Sequence, residues 1–332
     1  MGYATGKRKA DKKARRVKNI AFIVLACLLA GLCLFSAFVP PRTWKYSFRL
    51  PDVGESKDGE LRIHFVDVGQ GDATIVELPD GKVALIDGAP EKATTALMRY
   101  LNALDIKQID YLILTHADAD HCGALDEVLK CKKVQKAYIP LSSATVNTEY
   151  AEFYTALEKE DCAWDYVQNG IVLSGEAYTF RFIYPFVYDV QSTKSDGNTF
   201  DKNANEYSAV AWLEYNGVSA LFIGDLPIEK EELLVESSKL GVLGVDLMKT
   251  DILKVGHHGA ETSTGEKLVG YFEDLKTAVI SCGENDYGHP SGEVVNRLRG
   301  VGASVYNTKE HGSVILSVRK DKTVHTVRYL DK

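Results

Sequence analysis

The stretch YLILTHADADHCGAL (residues 111–125) runs four apolar residues into two histidines and two aspartates packed within six positions. A short apolar run bounded by polar turn residues reads as a buried strand. A strand ending at Thr115 delivers His116 to the C-terminal edge of a sheet, where α/β folds hold their ligands. Asp118, Asp120 and His121 then fall in the tight loop before a helix that begins near Gly123. An EF-hand calcium loop counted from Asp118 finds Asp120 and Gly123 in place, but Cys122 and Leu129 stand where ligands are required, which excludes it. A polar turn capping the helix needs only one aspartate. Two histidines and two carboxylates at a strand end point instead to a metal site.

Outward from that stretch, the chain alternates short β-rich runs (LRIHFVDV, DATIVEL, KVALID) with segments of helical spacing such as ATTALMRYLNAL, IEKEELLVESSKL and SGEVVNRLRG. AWLEYNGVSALFI reads as a hairpin turning at Asn216-Gly217. The mixture predicts two mixed sheets packed face to face with helices outside. Three later pieces have chemical interest. SALFIGDL ends a strand at Asp225, DILKVGHHG ends another at His257-His258, and NEYSAV places Asn205 and Ser208 at a strand start. Each alone is an ordinary turn; their co-occurrence carries the weight.

The first 39 residues differ in kind. Residues 1–19 hold eight Lys/Arg and one Asp, and residues 20–39 hold no charge. Twenty apolar residues in a helix of ~1.5 Å rise cross a bilayer core of ~30 Å. The basic flank predicts a cytoplasmic tail at 1–19, a transmembrane anchor at 20–39 and everything after Pro40 outside the cell membrane. A cleaved signal peptide fits less well, because the apolar run is long and SAFVPP is a poor cleavage site. VLAC before Cys27 resembles lipoprotein processing only faintly, and cleavage there would leave twelve apolar residues at the new terminus. Residues 40–60, rich in Pro, Gly and charge, read as a linker to a catalytic domain at 61–332. No later apolar run approaches ~20 residues, so a single span and no pore is expected.

Without residues 1–19, 31 basic and 45 acidic residues leave a net charge of −14. Such a domain does not bind polyphosphate chains by bulk attraction. Six cysteines without any CxxC pair exclude a disulfide framework and a cysteine zinc site.

HxDxDH after an apolar strand, a later GD and a later GHHG together resemble the metallo-β-lactamase superfamily. FVDVGQGDATIVELPDGKVALIDG (65–88), LKVGHHGAETST and NDYGHPS are similar to the hydrolase domain of ComEC-type DNA-uptake proteins, over residues ~61–319. The resemblance implies an αββα four-layer sandwich around two divalent cations, zinc or manganese. By position it implies His116 and Asp118 on one cation, Asp120, His121 and His257 on the other, and Asp225 bridging. His258 is implied as an outer residue or a contact to the leaving group, with Asp120 and His289 also in catalytic roles. Asp87 is implied as a buttress, and Asp67, Gln70 and Asp72 as a loop over the cleft. Asn285, Tyr287 and His289 are placed to meet a phosphate, although a helix cap at Ser291 is the plainer account of that segment.

Two departures stand out: Asp118 and Asn205 occupy positions where the broader superfamily carries histidines. Both exchange imidazole for oxygen and favour harder cations such as manganese. The expected chemistry is hydrolysis by hydroxide generated between two cations ~3.5–4 Å apart, with no serine or cysteine nucleophile. Cys122 beside His121 reads as buried packing. The implied substrates are phosphodiesters, DNA foremost. The alternatives are another ester, such as a phosphocholine or cell-wall phosphodiester, or a binding protein on the same fold. The complete set His116, Asp118, Asp120, His121, Asp225 and His257 argues against the last.

Overall fold

The computed structural model describes residues 2–38, 41–48, 50–57, 59–175 and 177–329. The chain divides into two compact units, Met1–Phe48 and Arg49–Lys332. In the first, one helix runs from Gly2 to Phe38. It starts well before the apolar segment, because the lysines, arginines and alanines of the basic stretch are good helix formers and no proline interrupts them. Arg15–Ala37, of mean hydropathy 2.7, is long and apolar enough to cross a membrane. The interval read as a linker is partly ordered: Pro41–Tyr46 form a 3-10 turn, and Phe35 packs on Trp44 with ring centres 5.6 Å apart.

The second unit contains strands β1 (Leu61–Phe65), β2 (Thr74–Glu77), β3 (Val83–Ile86), β4 (Gln108–Ile113), β5 (Lys133–Ile139), β6 (Ala163–Tyr166) and β7 (Tyr178–Tyr184), then β8 (Val210–Tyr215), β9 (Val218–Phe222), β10 (Ile252–Lys254), β11 (Thr277–Ile280), β12 (Ser304–Asn307), β13 (Ser313–Val318) and β14 (Val324–Tyr329). They form an eight-stranded sheet in the order β14-β13-β1-β2-β3-β4-β5-β6 and a six-stranded sheet in the order β12-β11-β10-β9-β8-β7. Pairing is parallel from β3 to β6 and from β9 to β12, and antiparallel elsewhere. Parallel neighbours need a crossover. The helices Thr94–Ala103, Leu125–Cys131 and Thr148–Lys159 supply those between β3, β4, β5 and β6. Antiparallel β8 and β9 need only the turn at Asn216-Gly217, where both residues take positive φ, as a tight hairpin requires.

Alternation along the strands builds the core. Leu61, Ile63 and Phe65 of β1 point between the sheets, where they meet Phe180, Phe182, Leu213 and Phe222 from the other sheet. Phe65, Phe180, Phe182 and Phe222 are all fully buried, each worth roughly 1.5–3 kcal/mol relative to exposure. The opposite face of the six-stranded sheet carries Trp212, Leu221 and Leu253 against Leu234, Leu268 and Leu298 of the helical segments outside it. The expected sandwich of two sheets with helices outside is what the chain adopts. Its parallel halves set the C-terminal ends of β3, β4, β9, β10 and β11 on one rim, and Asp87, the His116–His121 stretch, Asp225, the His257-His258 pair and the segment with Asn285 and His289 each follow one of those ends.

Candidate metal centre

The hub of the rim is Asp225, which follows β9 and is buried. Gly224 makes its approach possible: its φ is +52°, and a Cβ there would lie 3.0 Å from the Cβ atoms of Ser208 and Thr115. The Asp225 N–H donates to Ser208 Oγ (3.2 Å), which fixes the turn. Four imidazoles then converge on one carboxylate oxygen. Asp225 Oδ2 lies 3.8 Å from His116 Nε2, 3.4 Å from His121 Nε2, 3.7 Å from His257 Nε2 and 3.7 Å from His258 Nε2.

Each ring is anchored through its other nitrogen. His121 Nδ1 contacts Asp87 Oδ2 (2.9 Å), His258 Nδ1 the Ser281 carbonyl (3.0 Å), His116 Nδ1 Thr115 Oγ1 (3.0 Å) and His257 Nδ1 Thr262 Oγ1 (3.1 Å). A carbonyl or carboxylate can only accept, so Nδ1 of His121 and of His258 carries a proton, and Nε2 is the nitrogen each ring turns toward Asp225. This is how proteins orient metal-binding histidines. His116 Nε2, His121 Nε2 and Asp225 Oδ1 are buried without a hydrogen-bond partner among the described residues, an arrangement that costs free energy unless something electrophilic meets them. Burial works against charge on His121, but Asp225 and then Asp87 hold its pKa well above the ordinary value. Burial likewise opposes ionisation of Asp225, yet His121 and His258 hold it well below the usual carboxylate range. The cradle stabilises positive charge, and its donor set fits divalent cations.

Asp87, at the end of β3, takes three roles at once. Its Oδ1 accepts from the Thr115 N–H (2.8 Å), its Oδ2 from Thr115 Oγ1 (2.8 Å), and the same Oδ2 fixes His121. Asp87→Asn leaves one acceptor oxygen for the Thr115 N–H and the His121 Nδ1–H together, so an amide NH₂ opposes one of them and the ring loses its anchor. Metal affinity is expected to fall about 10–100-fold, measured by competition with a metallochromic chelator.

The paired histidines, with His257 expected as the ligand and His258 as the outer residue, reach Asp225 Oδ2 at the same 3.7 Å but differ in burial. Both take left-handed φ (47° and 53°), and this backbone turns consecutive side chains in different directions. His258 goes inward, is buried, and contacts Asp120 Oδ2 (3.1 Å). His257 keeps a third of its ring in the cleft. Asp72, His121, Asp225 and His258 each offer an atom within 4.8 Å of the others, and His257 is outside this group. Burial disfavours the charged form of Asp120, yet its bond to His258 and the neighbouring positive rings hold its pKa below the carboxylate range. Asp118, half exposed, lies 3.6 Å from His116 Nε2.

Lys254 is a residue the sequence reading passed over. Its Nζ reaches Asp72 Oδ2 (2.9 Å) and the Val255 carbonyl (2.9 Å), with both side chains buried. The signal available was a lone lysine in the otherwise apolar β10. Asp72 is drawn to the centre by its N–H bond to the Asp120 carbonyl (3.1 Å), and its Oδ1 has no partner.

The other expected site residues divide between the scaffold and the cleft walls. Asp67 accepts from the Gly69 N–H (3.1 Å) within its own loop and does not line the cleft. Asn285 spends its amide on Gly283 and His289 carbonyls (2.8 Å each) and its oxygen on the N–H groups of Tyr287 and His289, so it staples its own loop and has little left for a phosphate. Gln70 accepts from Asn285 (3.2 Å) and lines the cleft. Ser208 orients Asp225 from below, and Asn205 lines a neighbouring cleft. His289 does face the centre, 5.8 Å ring to ring from His257, with Nδ1 unpartnered. Ser291 caps the next helix, accepting from the Glu293 N–H (3.2 Å). Cys122 is buried, and burial pushes its thiol pKa far up, so it is no nucleophile. The principal cleft, about 840 Å³, is lined by Glu91, Glu149, Glu284 and Asp286 against a lone lysine, Lys92.

The family model of the metallo-β-lactamase superfamily matches residues 66–284, a span that holds every residue of the centre from Asp72 to His258. Among curated proteins, the chain is similar to ComE operon protein 3 of Bacillus subtilis, at 32% identity over 277 residues, covering 78% of this chain and 33% of that protein. It is also similar to competence protein ComA of Neisseria gonorrhoeae, at 27% identity over 305 residues, covering 89% of this chain and 38% of that one. The chain thus spans little more than a third of the length of these relatives. Among solved structures, a mutant of the β-hydroxylase CmlA aligns with a TM-score of 0.50 at 14% identity, covering 79% of this chain and 54% of that one, a likeness of fold alone. The chain belongs to the metallo-β-lactamase superfamily and is similar, within it, to the ComEC-type competence proteins.

Proposed function

We propose that this chain is a metal-dependent phosphodiesterase that cuts DNA outside the membrane to which its N-terminal helix ties it. The observation that carries the reading is the convergence of four anchored imidazoles on Asp225 Oδ2, with buried polar atoms left unpartnered. His116, Asp118 and Asp225 would hold one cation; Asp120, His121, His258 and Asp225 would hold the other. Divalent cations held there, zinc or manganese, would supply Lewis acidity and activate water for hydrolysis. Asp120, partly open to the cleft, is the carboxylate that would accept the proton of the attacking water. His257 presents Nε2 toward the reacting ester. His289 stands beside it, kept neutral because burial and the neighbouring histidines lower its pKa, and is placed to hydrogen-bond the departing oxygen. Relatives named for competence support DNA as the substrate.

The acidic lining of the cleft favours a second reading, a phosphodiester carrying a cationic group, such as phosphocholine on a wall polymer. The test is to strip the full-length protein of metal in detergent, restore manganese or zinc, and assay bis(p-nitrophenyl) phosphate and single-stranded DNA beside Asp120→Ala. Cleavage of both, lost in the variant, is expected. Cleavage of the small ester alone moves the substrate to the zwitterionic class, and silence on both with metal bound refutes the phosphodiesterase.

A further inference from the structure

The centre is not the floor of a closed pocket. Two clefts meet on it. The larger, about 840 Å³, runs out past Lys92, Glu149, Glu284 and Tyr287. The other, about 610 Å³, runs out past Asp201, Lys202, Asn205 and Glu229. Asp118, Asp225 and His257 line both, so the ligand cradle is the saddle between them.

We infer that a nucleic-acid strand crosses this saddle from one cleft into the other, which makes the bond cut an internal one and the enzyme an endonuclease of single strands. The inference rests on the phosphodiesterase reading above and adds the mode of attack. An enzyme that trims from an end needs a wall to stop the terminal nucleotide beside the reacting bond. Here both sides of Asp225 are open volume, each within the roughly 300–1,000 Å³ that holds a drug-sized ligand, room for about one nucleotide. The charge pattern narrows the substrate further. Each arm offers one exposed lysine, Lys92 or Lys202, among several carboxylates. A duplex brings one phosphate per about 1.7 Å of axis against those carboxylates, and a single strand brings half as many. A single strand gripped at the centre, with one lysine near each flanking phosphate, is the polyanion these arms tolerate.

The test compares three substrates with the full-length, manganese-loaded protein: covalently closed single-stranded circles, a linear oligonucleotide blocked at both ends, and bis(p-nitrophenyl) phosphate. Circles are expected to open to full-length linear strands and then fragments, and the blocked oligonucleotide to be cut at internal positions. Charge reversal in either arm, Lys92→Glu or Lys202→Glu, is expected to raise KM for the blocked strand. Hydrolysis of the small ester with intact circles and intact blocked strands overturns the inference while sparing the phosphodiesterase. A KM effect confined to one arm overturns the crossing path. Failure on the small ester as well removes the reading on which the inference stands, and the inference with it.

Discussion

Asparagine in place of Asp225 should lower turnover of bis(p-nitrophenyl) phosphate about 10³-fold. The substitution keeps the size of the side chain and replaces one carboxylate oxygen with an amide NH₂. Asp225 Oδ2 faces His116, His121, His257 and His258 together, and Oδ1 is buried with no hydrogen-bond partner among the described residues. An amide there removes the charge that would join two cations and turns hydrogens toward the Nε2 atoms that face it. Losing that joint forfeits several kcal/mol of transition-state stabilisation, and each 1.36 kcal/mol is tenfold in rate. Steady-state kinetics with metal content measured on the same samples checks this. Turnover within tenfold of the parent would remove Asp225 from the centre.

The largest effect on stability should come from Lys254→Met, about 3–5 kcal/mol in the metal-free protein. Lys254 and Asp72 are both buried, and methionine leaves the carboxylate in place without the ammonium that donates to Oδ2, the His258 ring 3.7 Å away being the next positive neighbour. Burial alone would raise the pKa of Asp72; Lys254, then His258, more than offset it, so the net shift is downward. A carboxylate held below its unfolded value stabilises the fold above pH 3.8, and that contribution is lost as the pH falls through its folded value. The Lys254→Met loss should therefore be full near neutrality and shrink below about pH 4. Asp72→Asn combined with Lys254→Met should restore much of the stability, since it removes the stranded charge. Urea unfolding of the full chain gives the comparison, and equal loss in the single and double variants would show that packing, not charge, is what Lys254 contributes.

The sequence made the frame of this site readable and left its inner order obscure. Thr115 to His121 are contiguous, follow an apolar strand and compress into one turn, so local pattern alone reveals them. Asp87 and Asp225 follow strands whose parallel pairing puts their ends on one rim, which the βα alternation implies. Which of His257 and His258 turns inward depends on two left-handed residues in succession, a backbone choice no periodicity records. Lys254 is hidden for a related reason: a lysine in a short strand reads as solvated until its partner, 182 positions earlier, is placed beside it. Asn285 was readable as a polar side chain near the cleft, but its five contacts depend on how a tight loop closes. The opening of the centre into two clefts belongs to the packing of distant loops and has no local sequence signal.

The central claim is that Asp225 joins two cations, and electron paramagnetic resonance of the manganese-loaded full-length protein tests it most directly. Titration to two equivalents should give a spin-coupled pair signal, replaced in Asp225→Asn by the six-line spectrum of isolated ions. A six-line spectrum from the parent protein at every manganese level, or saturation at one equivalent, would contradict the account.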